Sequence, residues 1–269
     1  MEQKTSFDSE TIRIDSDHNK LTILNIAEDK IRLRYYQDEK AHFYTADFEA
    51  QSDASSGLEK TLSDLPVDLM EVSKLKIGML YPFFSLIPEV FFQKDDVRTL
   101  AGANLHIPAG SLVMEDKLKF TDARLLYVLR FDKYRLLHQL NKNTDIEHLA
   151  VSLLNLFYEQ SRGKQKATFL YKLNKHLLVA VFIDQKMVFA NIFSVMNADD
   201  MLYYTLLVLE STGLDQENDP VYLSGEIKEG GVLYNHLHKY IRKLHFSELE
   251  TKDFKKIDSI DVDIYSHYL

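Results

Sequence analysis

A glycine-containing loop is the part of the sequence best suited to chemistry. The stretch VYLSGEIKEGGVLYNHLHKYI, Val221–Ile241, contains a short apolar run, a loop with Gly225, Gly230 and Gly231, and a helical pattern. Many nucleotide-binding folds place a strand, a glycine loop and a helix in this order, because amides at a helix start bind phosphate. The alternative is a plain strand-to-helix connection, with Gly230 or Gly231 near the helix start.

Paired ionisable residues offer two further candidates. Asp199 and Asp200 could form a metal-binding or acid–base pair, although carboxylates in the first turn of a helix also suit its dipole. His236 and His238 are two residues apart on a predicted helix, so they point to different sides and cannot chelate one ion together. We therefore predict no metal site. No Walker-type lysine loop, HExxH or GxGxxG motif is present, so no catalytic residue is predicted.

Composition limits the classes of partner. The net charge of −9 argues against nucleic-acid binding and against an anionic membrane surface. The absence of cysteine excludes disulfides and thiol catalysis. The N-terminus is polar, and the longest apolar run, LLVAVFI (Leu177–Ile183), is far shorter than the ~20 residues that a membrane helix needs. We predict a cytoplasmic protein with no integral membrane segment. Its nine glycines are few for a phosphate-binding chain.

The elements around the glycine loop form a regular series. The runs ATFLYKL, HLLVAVFI and MVFANIF are separated by short polar turns and predict an antiparallel three-strand meander. NADDMLYYTLLVLESTG then predicts a helix with Gly213 as its C-terminal cap. The strand VYLS, the glycine loop and a second helix follow.

The first half of the chain repeats this series. LTILNI, KIRLRYY and AHFYTADF predict a meander, SSGLEKTLSDL a helix and KLKIGML a strand. Between the halves, SLIPEVFF (Ser85–Phe92) is predicted to be an apolar connector broken by Pro88. Helices are predicted in DDVRTLAGANL and DKYRLLHQL, and strands in SLVMEDKLKF and ARLLYVLRF. DIEHLAVSLLNLFYEQ predicts a helix whose residues 145–150 could instead be a strand.

These patterns give four predicted regions. Residues 1–20 form an N-terminal extension, 21–163 a first domain, 164–246 a second and smaller domain, and 247–269 a C-terminal tail. The boundary between the domains lies within the polar stretch SRGKQK, Ser161–Lys166.

The order of elements is that of the ribonuclease H-like fold, and two copies make the actin-like ATPase architecture. SLIPEVFF, NIFSVMNADDMLYYTLLVLESTGLD and PVYLSGEIKEGGVLYNHLHKYI resemble a bacterial family of uncharacterised proteins with an actin-like ATPase fold. The resemblance covers roughly Leu21 to Phe246. In broad layout the chain is also similar to actin-like proteins of type IV pilus assembly and type II secretion. The predicted fold is therefore α/β, with two ribonuclease H-like halves.

The resemblance also implies a nucleotide cleft. In actin-like ATPases a strand–glycine–helix element lies beside the adenosine, which would place Gly225, Gly230 and Gly231 there. Those ATPases also use two phosphate hairpins, each with an acidic residue and a glycine. Here the first turn, NIAEDK, offers Glu28 and Asp29 but no glycine, and the second, KLNKH, has neither a glycine nor a carboxylate. The fold is thus expected without its ATPase chemistry.

Two functions from different classes follow. The first is a non-catalytic cytoplasmic scaffold or adaptor with a protein partner, no cofactor and no nucleic acid. The alternative is a divergent actin-like ATPase that binds ATP and Mg in the interdomain cleft. A ribonuclease H-like nuclease is disfavoured, because it needs three or four converging carboxylates where this chain has Leu, Ile, Phe and Tyr. The sequence leaves the oligomeric state open.

Overall fold

The computed structural model describes residues 21–37, 40–48, 54–92, 96–247 and 261–268. The chain divides after Val151 into two compact units. We call the residues up to Val151 the first unit and Ser152–His267 the second unit. No helix in the described ranges is long and apolar enough to span a bilayer.

The first unit contains a five-stranded mixed sheet of order β3-β2-β1-β4-β8. Its elements in chain order are β1 (Leu21–Ile26), β2 (Lys30–Gln37), β3 (Lys40–Asp47), α1 (Ala54–Ser63), β4 (Lys74–Met79), β5 (Phe84–Pro88), α2 (Val97–Gly102), β6 (Ser111–Lys117), β7 (Ala123–Arg130), α3 (Phe131–Gln139) and β8 (Thr144–His148). Strands β1 to β3 form an antiparallel meander, while β4 is parallel to β1, and β8 is parallel to β4. The central strand β1 is buried along almost its whole length, as expected for a strand covered on both faces.

A second, three-stranded antiparallel sheet of order β5-β7-β6 interrupts the chain between β4 and β8. The prediction that Ser85–Phe92 is a connector is wrong in part. Residues up to Pro88 form the edge strand β5, which pairs with β7. Proline lacks an amide hydrogen and is tolerated at such an edge, so Pro88 ends the strand without excluding it. Ile87 packs there with Ala101 and Leu126.

The second unit repeats the strand order of the first in a sheet β11-β10-β9-β12-β13. Its elements are α4 (Leu149–Ser161, which begins before the division), β9 (Lys166–Leu173), β10 (His176–Ile183), β11 (Lys186–Ser194), α5 (Ala198–Ser211), β12 (Val221–Gly225), α6 (Val232–His238), β13 (Leu244–Phe246) and α7 (Val262–Tyr265). Strands β9 to β11 are an antiparallel meander, and β12 lies parallel to β9. Almost every residue of β9 and β10 is buried.

Both predicted meanders and the helix after the second one are confirmed. The ambiguity at residues 145–150 resolves as a strand, β8, followed directly by α4. Ile146 and His148 alternate with more exposed neighbours, which is the period of a half-buried strand. Within the predicted C-terminal tail, Val262 of α7 is fully buried.

Candidate functional site

Three parallel strands of the first unit end at one edge of its main sheet. Their registers align Ile26 of β1 with Met79 of β4, and Met79 with His148 of β8. Ligands of open α/β sheets bind outside the carboxyl ends of such strands. Glu28 and Asp29 follow β1 directly, so the structure brings these two predicted site residues to that edge.

The β1–β2 turn that carries Glu28 and Asp29 is closed by backbone hydrogen bonds. The Ala27 amide donates to the Lys30 carbonyl at 2.8 Å, and the Asp29 carbonyl accepts from the Phe48 amide at 2.8 Å. A phosphate-binding turn needs amides directed at the ligand, and glycine lets the backbone approach it. This turn has no glycine and uses its Ala27 amide internally, which makes it a tight hairpin connection.

Lys133, at the start of α3, is a functional candidate that the sequence reasoning missed. Its Nζ lies 5.2 Å from the centre of the Tyr81 ring, in the segment that follows β4. Burial lowers the pKa of Lys133 to about 8, while the negative charges of Asp132 and Glu28 act in the opposite direction. A lysine with a pKa near neutrality can bind an anion or exchange a proton. The first unit therefore places one cation near Glu28.

His148, the last residue of β8, is fully buried at the same edge. Its Nδ1 accepts a hydrogen bond from the Ala150 amide at 3.2 Å, so the proton lies on Nε2, which donates to the Tyr81 carbonyl at 3.1 Å. Burial lowers the pKa of His148 to about 4, partly offset by the bond to Tyr81. The imidazole is thus neutral and positions the start of α4.

Asp116 connects the three-stranded sheet to this edge. Its Oδ2 accepts a hydrogen bond from the His148 amide at 2.6 Å. Burial raises the pKa of Asp116 to about 7; the His148 amide and Lys76 lower it, while Glu147 and Asp145 raise it further. The buried ring of Tyr127 packs edge-on against His148, with 5.0 Å between ring centres. The partly buried Asp116 carboxyl thus has one oxygen bonded to the start of α4, through the His148 amide.

Asp116, like His148, was missed by the sequence reasoning. The only signal for Asp116 was a carboxylate inside a predicted strand, in SLVMEDK. For Lys133 it was the pair of charges, Asp132 and Lys133, at a helix start. Neither signal indicates which distant residues lie nearby.

In the second unit, two of the three predicted loop glycines have a left-handed backbone, and Gly225 is also closely packed. Gly225 has φ +77°, and a Cβ there would lie 2.2 Å from the Lys172 carbonyl oxygen of β9. Gly230 also has a positive φ of +72°, and Gly231 is the N-cap of the short helix α6. Gly225 and Gly230 thus have local conformational reasons to be glycine, and a nucleotide-binding role for this loop remains a prediction.

The loop residue after Gly225 supplies a carboxylate to the neighbouring turn. Asn174, in the β9–β10 turn, donates its amide to Glu226 Oε2 at 2.6 Å. That turn has no carboxylate of its own, and the fold provides one from 52 residues further along the chain. Glu226 is the second-unit residue that the sequence reasoning missed, although it lies between Gly225 and Gly230 in the glycine loop.

The remaining polar candidates have structural partners. Asn197 caps α5 by accepting from the Asp200 amide at 2.9 Å, and Asp200 accepts from the Met196 amide. Asp199 pairs with His236 at 2.8 Å, whereas His238 packs beside Tyr234. The first-turn interpretation of the two aspartates is confirmed. Among the described residues, no group of three or more His, Cys, Asp or Glu is arranged to hold a metal ion.

Comparison with known proteins identifies the family of the chain and the fold that it shares with solved structures. The family described as "Protein of unknown function (DUF3822)" matches residues 6–244. The chain is similar to a protein of unknown function with an actin-like ATPase fold from Bacteroides thetaiotaomicron VPI-5482, with 18% identity and a TM-score of 0.77 over 94% of this chain and 98% of the other. It is also similar to the PilM–PilN type IV pilus biogenesis complex, with 8% identity and a TM-score of 0.60 over 92% of this chain and 97% of that one.

A comparison with curated proteins gave no match. At these identities the structural likenesses show the fold alone, which is the mixed α/β fold of actin-like ATPases. The resemblance expected from the sequence is confirmed. Glu28 and Asp29 lie in the first unit and the three glycines in the second, and a cleft that unites them remains a prediction.

Proposed function

The chain belongs to the DUF3822 family of proteins of unknown function, and we propose that it is a non-catalytic cytoplasmic scaffold or adaptor. It is built on the actin-like ATPase fold, and we regard its two halves as ribonuclease H-like domains with the predicted boundaries. In this proposal the fold provides a stable structure for binding a protein partner, and the protein does not catalyse phosphoryl transfer.

The observation that carries the proposal is the state of the two hairpin turns. Phosphoryl transfer depends on amides and cations that hold phosphate, and on a carboxylate or metal that positions water. The β1–β2 turn uses the Ala27 amide to close itself, and the β9–β10 turn gives the Asn174 amide to Glu226. Both amides are therefore used by the chain's own acceptors, which supports a protein that does not hold a triphosphate.

Two observations support a protein partner. The chain is similar in fold to a protein of the PilM–PilN complex, in which a fold of this type assembles with another protein. In the first unit, Phe83, Val90 and Phe91 are 65–82% exposed, which is unusual for large apolar side chains so close together in sequence. The net charge of −9 supports a protein rather than a nucleic acid as the partner.

A second candidate, the divergent ATPase that binds ATP and Mg, is favoured by one observation. Lys133 lies near Glu28 at the carboxyl edge of the first unit's main sheet. A lysine could bind phosphate there, and a carboxylate could bind magnesium. For this candidate to hold, the β1–β2 turn would have to rearrange and release its amide.

Calorimetry and turnover assays separate the two candidates. We expect the purified full chain to give no heat with ATP and MgCl₂ and no phosphate release above that of buffer. Glu28→Gln and Asp29→Asn serve as matched variants, because any activity from a contaminant persists in both. Turnover in the wild type that disappears in either variant would establish the ATPase and overturn the scaffold.

A partner assay tests the other half of the proposal. We expect the tagged full chain to retain a specific protein from native lysate, and the purified pair to reassociate. Retention should be the same after ATP is removed with apyrase and after ATP with MgCl₂ is added. Retention that depends on ATP would assign the chain to a nucleotide-controlled class instead.

A further inference from the structure

The β9–β10 turn contains a residue with an unusual backbone conformation. Asn174 has φ +49°, the left-handed region that asparagine tolerates better than most residues. Successive amides around such a residue form a concave site that favours a negative charge. The Asn174 amide is already bonded, at 2.6 Å, to the Glu226 carboxylate. The short distance is that of a charge-assisted hydrogen bond.

The position of Glu226 is set by its own backbone. Its amide donates to the Lys172 carbonyl at 2.7 Å, at the end of β9 and two residues before Asn174. The preceding Gly225 approaches that same carbonyl more closely than any residue with a Cβ could. The Ile227 amide donates to the Gly225 carbonyl at 2.8 Å and turns the chain away. The carboxylate is therefore preorganised on the turn, and little conformational entropy is lost when it bonds there.

We propose that the Glu226 carboxylate is a resident anion that occupies the β9–β10 turn and excludes phosphate from it. This inference rests on the proposed function, since a scaffold gains nothing from phosphate at this position. A phosphate oxygen would need the amide that Glu226 already uses, and its charge would be repelled by the carboxylate at short range. Removing the carboxylate turns the same backbone into a weak site for phosphate.

The test is a phosphate titration of the ¹⁵N-labelled full chain, followed by NMR at the Asn174 amide. We compare the wild type, Glu226→Ala and Glu226→Gln with Glu229→Ala, which removes an exposed carboxylate from the same loop. In the wild type and Glu229→Ala, we expect a downfield Asn174 resonance that phosphate does not move. In Glu226→Ala the resonance should move upfield and then shift with phosphate, by at least tenfold more than in the wild type.

Glu226→Gln keeps an acceptor oxygen and removes the charge, so it carries the test if Glu226→Ala does not fold. We expect its Asn174 resonance to lie between those of the wild type and Glu226→Ala. A resonance unchanged in Glu226→Gln would show that the carboxylate charge does not act on the turn and would overturn the inference. So would phosphate shifts of equal size in the wild type and Glu226→Ala.

The experiments distinguish a failure of the resident-anion inference from a failure of the proposed scaffold function. A wild-type Asn174 amide that responds to phosphate, without ATP turnover, ends this inference and leaves the scaffold in place. ATP turnover by a wild type whose Asn174 amide ignores phosphate ends the scaffold and removes the reason given for the resident anion, although Glu226 still occupies the turn.

Discussion

The two five-stranded sheets share one strand order but differ at their carboxyl edges. In the first unit, that edge gathers the buried His148 and the partly buried Asp116, with Lys133 nearby. In the second, it gathers Gly225 and a carboxylate, Glu226, that bonds to the neighbouring turn. The same strand order is therefore compatible with two different chemical environments, because it does not determine which side chains lie at the strand ends.

The cause of the difference is the connection between the last two parallel strands. In the first unit, the chain between β4 and β8 contains the three-stranded sheet, which carries Asp116 and Tyr127 to His148. In the second, the chain between β12 and β13 contains only the short helix α6. The longer insertion adds side-chain contacts to His148 at the first edge, whereas the second edge depends on close backbone contact.

The largest expected effect tests that backbone contact. Gly225→Ala places a methyl group against the Lys172 carbonyl and forces a left-handed conformation, so we expect a loss of about 3 kcal/mol or more in the free energy of unfolding. Gly213→Ala is the control, since its φ is +69° but its surroundings are open, and should cost about 1–2 kcal/mol. Urea titrations followed by far-UV circular dichroism measure both. Equal losses would show that the contact with β9 contributes nothing.

The next effect concerns pH and belongs to the first unit. The pKa of Asp116 is raised to about 7, so its contribution to stability falls as pH rises from about 4 to 7. The pKa of His148 is lowered to about 4, so its contribution is present above pH 6.5 and falls as pH drops toward 4. Between pH 5 and 6.5 the contribution of Asp116 falls with pH while that of His148 rises. The free energy of unfolding of the wild type should therefore be nearly independent of pH in this range.

Asp116→Asn removes the pH dependence of stability that comes from Asp116. It keeps a side-chain oxygen that can accept a hydrogen bond from the His148 amide. We expect its free energy of unfolding to rise by roughly 1.5 kcal/mol from pH 5 to 6.5. Hydrogen exchange at the amides of β6 and β8 measures this within the first unit. Asp64→Asn, at an exposed position, should behave as the wild type does. A flat profile in Asp116→Asn would remove the distinction drawn between the two edges.

The smallest effect tests whether the polar residue at the start of α5 serves local structure. Asn197→Ala removes the N-cap of α5 and should lower the free energy of unfolding by about 1 kcal/mol. Asn197→Asp retains a capping oxygen and should be close to the wild type. Thermal unfolding measures both variants. If the two variants lose stability equally, the cap is not what Asn197 provides.

Much of the fold could be predicted, because its signals are local. The strands on either side of Asn174 and the helix between Asn197 and Gly213 are encoded by neighbouring residues, through turn chemistry, capping and apolar periodicity. Strand β5 was missed, because Pro88 argues against a strand unless its place at a sheet edge is known. Glu28 and Asp29 were correctly placed in a turn, but their neighbour Lys133 was not foreseen.

The sequence by itself determined the repeated order of elements, the turns without glycine and the acidic charge, since each depends on residues adjacent in the chain. Only the tertiary structure decided that Asp116 meets His148, 32 residues away, and that Glu226 meets Asn174, 52 residues away. The meeting of Glu226 and Asn174 follows from the parallel pairing of β12 with β9. Asp116 lies on β6, in the separate three-stranded sheet, and reaches His148 by tertiary packing. Neither relation leaves a periodic trace in the sequence.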